Sequence, residues 1–223
     1  MVCEPMADSS SRQGERYATD AVLAFVRRVH APHDEALQRA FDAPEREGMP
    51  AIQVGPDEGK TLMLLLQLAG ARRVVEIGTL AAYSTLWMAR ALPEDGKLWT
   101  FEKEPKHAEV ARANLEAAGL ADRVEVRVGD AIQGLASIEA EGPFDAVFVD
   151  ADKGRYDRYG AWAAAHLRPG GLLLGDNAYF FGRLADEDDE AAAAMRRFHQ
   201  QAARDFETVC LPTPDGLLLG RRI

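Results

Sequence analysis

The chain is short of cysteine: in 223 residues there are two, Cys3 and Cys210. Two cysteines cannot build a disulfide framework, and nothing pairs them at a metal-ligand spacing. The cytoplasm is therefore the expected compartment, with Cys3 a tail thiol and Cys210 a strand residue in the core. Long apolar runs are missing too. The densest, Leu62 to Leu66, is far too short to cross a bilayer, so no membrane partner is expected. Met1 to Gly14 is polar and serine-rich, lacks the charged-then-apolar pattern of a secretory signal, and reads as a loose tail. Basic residues are outnumbered, 26 Lys and Arg against 36 Asp and Glu, giving a net charge of −10. That balance disfavours nucleic acid, which is bound chiefly by cations that neutralise phosphates. The acidic stretch Asp186 to Glu190 reads as a solvated loop, and there is no internal repeat.

What is present is an ordinary globular composition, 47% hydrophobic and 28% charged, enough for one α/β domain with a real core. The expected organisation is a single domain over residues 1–223, with a flexible tail over 1–15, a helical cap over 16–71 and an α/β core over 72–223. The cap holds three helical stretches, about Tyr17–Val29, Asp34–Phe41 and Glu58–Ala69, with no strand between them. From Val74 onward short apolar strands alternate with amphipathic helices. Strands are expected at Arg73–Ile77, Leu98–Glu102, Val124–Val128, Phe144–Val149 and Leu172–Leu174. Helices lie between them: Ser84–Leu92, one opened by Pro105 and closed by Gly119, Ile132–Ile138 and Asp157–Leu167. Such alternation predicts a doubly wound parallel sheet covered on both faces. After a helix near Glu190–Arg204, Phe206–Leu211 and Leu217–Arg222 bracket Pro212-Thr213-Pro214-Asp215-Gly216. This is a hairpin signal that adds two antiparallel strands, seven in all.

Ligands of a doubly wound sheet sit at the carboxyl ends of its strands. The first strand runs into Glu76-Ile77-Gly78-Thr79-Leu80-Ala81-Ala82-Tyr83-Ser84. This is not G-x-G-x-x-G, and a pyrophosphate would be poorly served. It offers instead a carboxylate suited to an α-ammonium, a glycine for close backbone approach, and Ser84 at a helix start suited to an α-carboxylate. The second strand ends in Glu102, placed to accept from ribose hydroxyls. The third ends in Gly129-Asp130-Ala131, where a carboxylate can accept from an adenine amino group. Each acid alone also reads as a helix cap or a solvated loop residue.

The fourth strand runs into Asp150-Ala151-Asp152-Lys153 and the fifth into Asp176-Asn177. Asp150, Asp176 and Asn177 would meet as three oxygen donors, a set suited to a hard cation such as Mg²⁺ and without the His or Cys that zinc favours. The plain alternatives are a turn at Asp176-Asn177, a cap at Asp150, and a surface Lys153 paired with Asp152 or Asp157. Tyr156, Tyr179 and Phe180 either wall an aromatic acceptor or pack in the core. The five histidines, His30, His33, His107, His166 and His199, show no useful mutual spacing and are expected on surfaces or helices.

These residues resemble the cation-dependent O-methyltransferases, the group of catechol and caffeoyl-coenzyme A O-methyltransferases among the class I S-adenosylmethionine-dependent enzymes. The matching stretches are Val75-Glu76-Ile77-Gly78-Thr79, Tyr83-Ser84-Thr85-Leu86, Gly129-Asp130-Ala131, Phe144-Asp145 through Lys153, Arg168-Pro169-Gly170-Gly171, Asp176-Asn177 and Asp215-Gly216. The DADK and DN pair is the most specific, and the similarity spans about Met49 to the C-terminus. The resemblance implies a Rossmann-like fold and a metal-dependent methyl transfer to a hydroxyl of a small catechol-like or phenolic acceptor. It implies that Asp150, Asp176 and Asn177 hold Mg²⁺ or another divalent cation such as Mn²⁺ or Ca²⁺, and that Lys153 is the general base beside Asp150. It further implies that Val54, Glu76, Gly78, Tyr83, Ser84, Glu102, Asp130, Ala131 and Asp150 bind S-adenosylmethionine, with Ile52-Gln53-Val54 closing over its methionine end. Such enzymes are often homodimers. One departure stands out: relatives usually carry G-T-x-T-G-Y-S, and here Ala81-Ala82 replaces the second glycine region. A methyl at Ala82 narrows the room for backbone approach. A non-catalytic S-adenosylmethionine-binding protein of the same fold is the alternative.

Overall fold

The computed structural model describes residues 18–223. Cys3 and the tail expected over 1–15 lie outside the described residues. The chain divides into two compact units, Met1–Pro32 and His33–Ile223. Within the first, α1 (Asp20–His30) starts at Thr19, whose hydroxyl accepts from the Val22 N–H at 3.4 Å.

The second unit opens with α2 (Glu35–Arg46) and α3 (Pro56–Leu68), followed by β1 (Arg73–Ile77) and α4 (Tyr83–Ala91). Next come β2 (Lys97–Glu102), α5 (Pro105–Ala117), β3 (Val124–Val128), α6 (Ala131–Ala136) and β4 (Phe144–Val149). The chain closes with α7 (Tyr156–His166), β5 (Leu167–Gly175), α8 (Glu190–Asp205), β6 (Phe206–Leu211) and β7 (Leu217–Arg222). The sheet has seven strands in the order β3-β2-β1-β4-β5-β7-β6. The first five are parallel, and β7 pairs antiparallel with both β5 and β6. The doubly wound sheet with its antiparallel hairpin is as expected. Among the described residues no helix is long and apolar enough to cross a membrane.

The central strands are mostly apolar because both faces are covered, and side-chain parity sorts them. Val74, Ala146, Phe148, Leu172 and Leu174 pack with Leu62, Leu66, Leu86 and Trp87. Val75, Ile77, Val147, Val149 and Leu173 pack with Tyr156, Tyr159, Met195 and Phe198 on the other side. Glu76 has the parity of Val74, so its carboxylate is driven under α4 rather than into solvent.

Several boundaries differ from the sequence expectation, most of them by one or two residues. The fifth strand is longer than Leu172–Leu174, because Leu167 already pairs with Phe144 and the register shifts before Ala146 meets Leu172. Asp145 ties that irregular stretch down, accepting from the Arg72 and Arg73 N–H groups at 2.9 and 2.8 Å and from Arg168 Nε at 2.6 Å. Helix α2 continues past Phe41 through Pro44 to Arg46, a proline near a helix end costing few backbone bonds. Helix α6 stops at Ala136, short of Ile138. Cys210, expected in the core, is half-buried on β6, the edge strand.

Register brings the site together. Ile77 pairs with Val149 and with Phe101, and Val149 pairs with Gly175, so the next residues leave the sheet at one level. The ladder runs one step further: Gly78 N–H donates to Phe101 C=O, Asp150 N–H to Ile77 C=O, and Asp176 N–H to Val149 C=O. Gly78, Glu102, Asp150 and Asp176 are therefore neighbours by construction.

Candidate active site

Two adjoining chambers open at these strand ends, of about 380 and 310 Å³. Gly78, Leu80, Asp150, Ala151, Asp152 and Ile52 border both. Val54, Tyr83, Ser84, Lys153 and Asn177 border the first, while Glu102, Asp130 and Ala131 border the second. Every expected site residue except Glu76 and Asp176 thus lines a chamber wall. Asp176 is 6% exposed.

Gly78 has φ 101°, and a Cβ there would stand 2.0 Å from the Asp150 carbonyl oxygen. Only glycine lets β1 and β4 approach so closely between the chambers. The loop that follows is held in left-handed backbone at Leu80 (φ 49°) and Ala82 (φ 64°), neither of them glycine. Side chains supply the bonds that hold it. Glu102 accepts from the Leu80 N–H at 2.7 Å and from the Glu104 N–H at 2.9 Å. The buried Asn114 on α5 donates to the Ala81 carbonyl at 2.9 Å and accepts from Arg39 Nε of α2 at 3.2 Å.

Glu76 lies beneath this floor with no exposed surface. It accepts from Ser84 Oγ (2.5 Å), Thr85 Oγ1 (2.6 Å) and Thr100 Oγ1 (2.7 Å). Because Thr100 donates to Glu76, it accepts from Thr79 Oγ1 at 2.6 Å. Burial pushes the Glu76 carboxyl up to about 7; the three hydroxyls hold it down in part, and Asp150 adds a smaller push upward. Wholly buried and carrying three hydroxyl donors, this acid organises Ser84 from below.

At the fourth strand end, Lys153 Nζ donates to Asp150 Oδ1 at 3.0 Å and to the Tyr156 hydroxyl at 2.9 Å. Tyr156 in turn donates to the Val149 carbonyl at 3.1 Å. Its phenol is buried and pushed well up, first by burial and then by Asp150 and Asp176, so it stays protonated. The Lys153 side chain is 16% exposed, which removes the reading of a surface lysine. Burial raises the Asp176 carboxyl above the usual carboxylate range, and the nearby Asp150 raises it further. Among the described residues no three His, Cys, Asp or Glu side chains form a metal cluster, so the oxygen set is two carboxylates and the Asn177 amide. Two carboxylates that disfavour each other's charge beside an amide oxygen fit a hard cation, which would relieve that repulsion.

Asp130 caps α6, accepting from the Gln133 N–H at 3.3 Å, and pairs with Arg155, which lowers its pKa. Arg155 also reaches Asp152 Oδ2 at 3.2 Å, and the Tyr159 hydroxyl donates to Asp152 Oδ1 at 2.6 Å. Sequence reasoning passed over Arg155, Tyr159 and Asp152 as wall residues. Of the two readings left open for the aromatics, packing holds for Tyr156 and Phe180. Tyr156 and Phe180 are buried, and Phe181, 62% exposed, lines the chamber instead. Phe181 sits at φ 54°, its N–H donating to the Asp215 carboxylate at 2.9 Å. The Phe-Phe-Gly turn was the available signal.

A family model described as O-methyltransferase matches residues 29–223. A catechol O-methyltransferase of Niastella koreensis is 48% identical over 184 residues, covering 81% of this chain and 83% of the relative. A catechol O-methyltransferase of Mycobacterium tuberculosis is 46% identical over 177 residues, covering 79% and 80%. The O-methyltransferase of Bacillus cereus, solved in complex with SAH, superposes with a TM-score of 0.87 at 39% identity, covering 91% of this chain and 97% of that one. A chain with this sheet, these strand-end acids and these relatives belongs to the O-methyltransferase family.

Proposed function

We propose that this O-methyltransferase takes S-adenosylmethionine across the two chambers and methylates a hydroxyl of a small catechol-like acceptor with the help of a divalent cation. The observation that carries the reading is that Lys153 bonds Asp150 at 3.0 Å beside the adjacent strand end of Asp176 and Asn177, with Asp150, Lys153 and Asn177 all on the wall of the first chamber. A mere binding protein has no use for that set. Support for the cofactor comes from the SAH complex of the Bacillus cereus relative, and for the acceptor from the two catechol O-methyltransferases.

In this reading the Ser84 N–H at the N-terminus of α4 receives the methionine carboxylate near Val54, the hydroxyl proton being given to Glu76, while Gly78 gives backbone room and Tyr83 walls the same end. Glu102 takes the ribose hydroxyls, and Asp130 with Ala131 meets the adenine. Bound there, S-adenosylmethionine would supply the methyl group, its sulfur being left as a neutral thioether. Asp150, Asp176 and Asn177 would hold Mg²⁺, Mn²⁺ or Ca²⁺, which would acidify the acceptor hydroxyl and neutralise its developing charge. Lys153 takes the hydroxyl proton at Nζ, an act that requires it to enter as the free amine. Tyr156 and Asp150 fix where that nitrogen stands. Phe181 lies against the acceptor ring at the mouth and fixes its plane. Orientation is what the protein adds, since the leaving group is already good.

The reading is tested by comparing vicinal aromatic diols with matched monohydroxy compounds as methyl acceptors. Vicinal diols, able to fill two coordination positions, are expected to turn over far faster. Equal rates would remove the chelating geometry, and tight cofactor binding without turnover of any acceptor would favour the non-catalytic alternative.

A further inference from the structure

His33, at the entry to α2, lies in a part of the sequence that carries no site motif. Its Nε2 stands 2.7 Å from the Tyr83 hydroxyl and its Nδ1 stands 3.0 Å from Gln38 Oε1. The direction of this chain of bonds is fixed at its far end. Gln38 Nε2 donates to both oxygens of Asp42, at 2.8 and 2.9 Å, so the amide oxygen of Gln38 is the atom that faces His33. An amide oxygen only accepts. In the neutral ring His33 Nδ1 therefore carries the proton, Nε2 is a lone pair, and Tyr83 is the donor to it. The Phe41 ring packs against both partners, 5.2 Å from His33 and 5.0 Å from Tyr83 between centroids. Next to His33, Asp34 caps α2 and pairs with Arg90 of α4 at 2.8 Å. The start of α2 is thereby fastened to α4 at Tyr83 and again about two turns further along at Arg90.

Tyr83 is the first residue of α4 and follows the left-handed Ala82, at the strained end of the loop that borders both chambers. A non-glycine residue in that backbone needs the surrounding structure to hold it. We propose that His33 is a positioning residue for the cofactor: through the Asp42–Gln38–His33–Tyr83 chain it fixes Tyr83, and with it the N-terminus of α4 and Ser84. This rests on the proposed placement of the methionine end against Tyr83 and Ser84. His33 itself touches no chamber.

The test is a double-mutant cycle on the dissociation constant of S-adenosylhomocysteine, measured by calorimetry on the full chain. The variants are His33→Ala, Tyr83→Phe, the pair of them, and His33→Gln, whose amide oxygen can replace the Nε2 acceptor. One neutral hydrogen bond corresponds to about a 3- to 10-fold change. His33→Ala and Tyr83→Phe are each expected to weaken binding by about that factor. The double variant should be no weaker than either alone, and His33→Gln should recover most of the loss. Thermal midpoints of the ligand-free variants separate this from a general loss of fold, and if His33→Ala does not fold, Tyr83→Phe and His33→Gln carry the comparison. Additive losses, no loss in Tyr83→Phe, or a His33→Gln variant as weak as a folded His33→Ala would overturn the proposal. Failure of the unaltered protein to bind S-adenosylhomocysteine would overturn the cofactor reading beneath it as well.

Discussion

Glu76 makes stability depend on pH in a direction opposite to that of most carboxylates. Its carboxyl is raised from 4.5 to about 7 by burial, despite three hydroxyl donors. The folded state therefore holds this proton more tightly than the unfolded chain does. Its favourable contribution is complete below about pH 4.5 and is lost as pH rises through about 7. At about 1.4 kcal/mol per pH unit, the interval from 4.5 to about 7 amounts to roughly 3 kcal/mol, most of it between pH 5 and 8. Glu76→Gln isolates the effect. The amide keeps the shape and stays neutral, and the Ser84, Thr85 and Thr100 hydroxyls can turn to donate or accept as it requires. Urea unfolding of both proteins at pH 5, 6, 7 and 8 gives the comparison. Relative to the variant, the unaltered protein should lose roughly 2–3 kcal/mol between pH 5 and 8. A difference that is flat with pH, or that grows in favour of Glu76 as pH rises, would refute the claim that burial dominates this carboxyl.

Gly78→Ala should abolish measurable cofactor binding by calorimetry, because relieving a 2.0 Å contact with the Asp150 carbonyl parts the two strand ends that form the site. Binding of undiminished strength would mean the chambers do not take the cofactor across Gly78. Phe181→Ala should raise the KM for an aromatic acceptor about fivefold, in line with roughly 1 kcal/mol for an aromatic contact, and leave cofactor affinity alone. An unchanged KM in steady-state assays would remove Phe181 from the acceptor wall.

The core of the fold could be read from the chain because parallel strands buried on both faces leave unbroken apolar runs, as at Ala146-Val147-Phe148-Val149. The acids that end them could be read for the same reason: the residue after such a run emerges where ligands bind. Glu76 was harder. Only the pairing of Glu76 with Thr100, together with the approach of α4, decides that its carboxylate is turned onto three hydroxyls. His33, Asn114 and Arg39 carry no local signal, since each acts on a residue between 33 and 75 positions away. The substitution of Phe181 for Tyr156 and Phe180 at the mouth turns on left-handed backbone at Phe180 and Phe181, which bulky residues seldom adopt. The length of β5 was hidden by Pro169-Gly170-Gly171, a turn signal that Asp145 overrides through its three bonds.

The most direct test of the account is methyl transfer from labelled S-adenosylmethionine to a vicinal aromatic diol, run with Mg²⁺, with excess chelator, and with Lys153→Ala. The account predicts transfer that stops on chelation, returns when Mg²⁺ is restored, and falls by about 10²-fold or more in the lysine variant. Transfer that continues at full rate under chelation, or in Lys153→Ala, would contradict it.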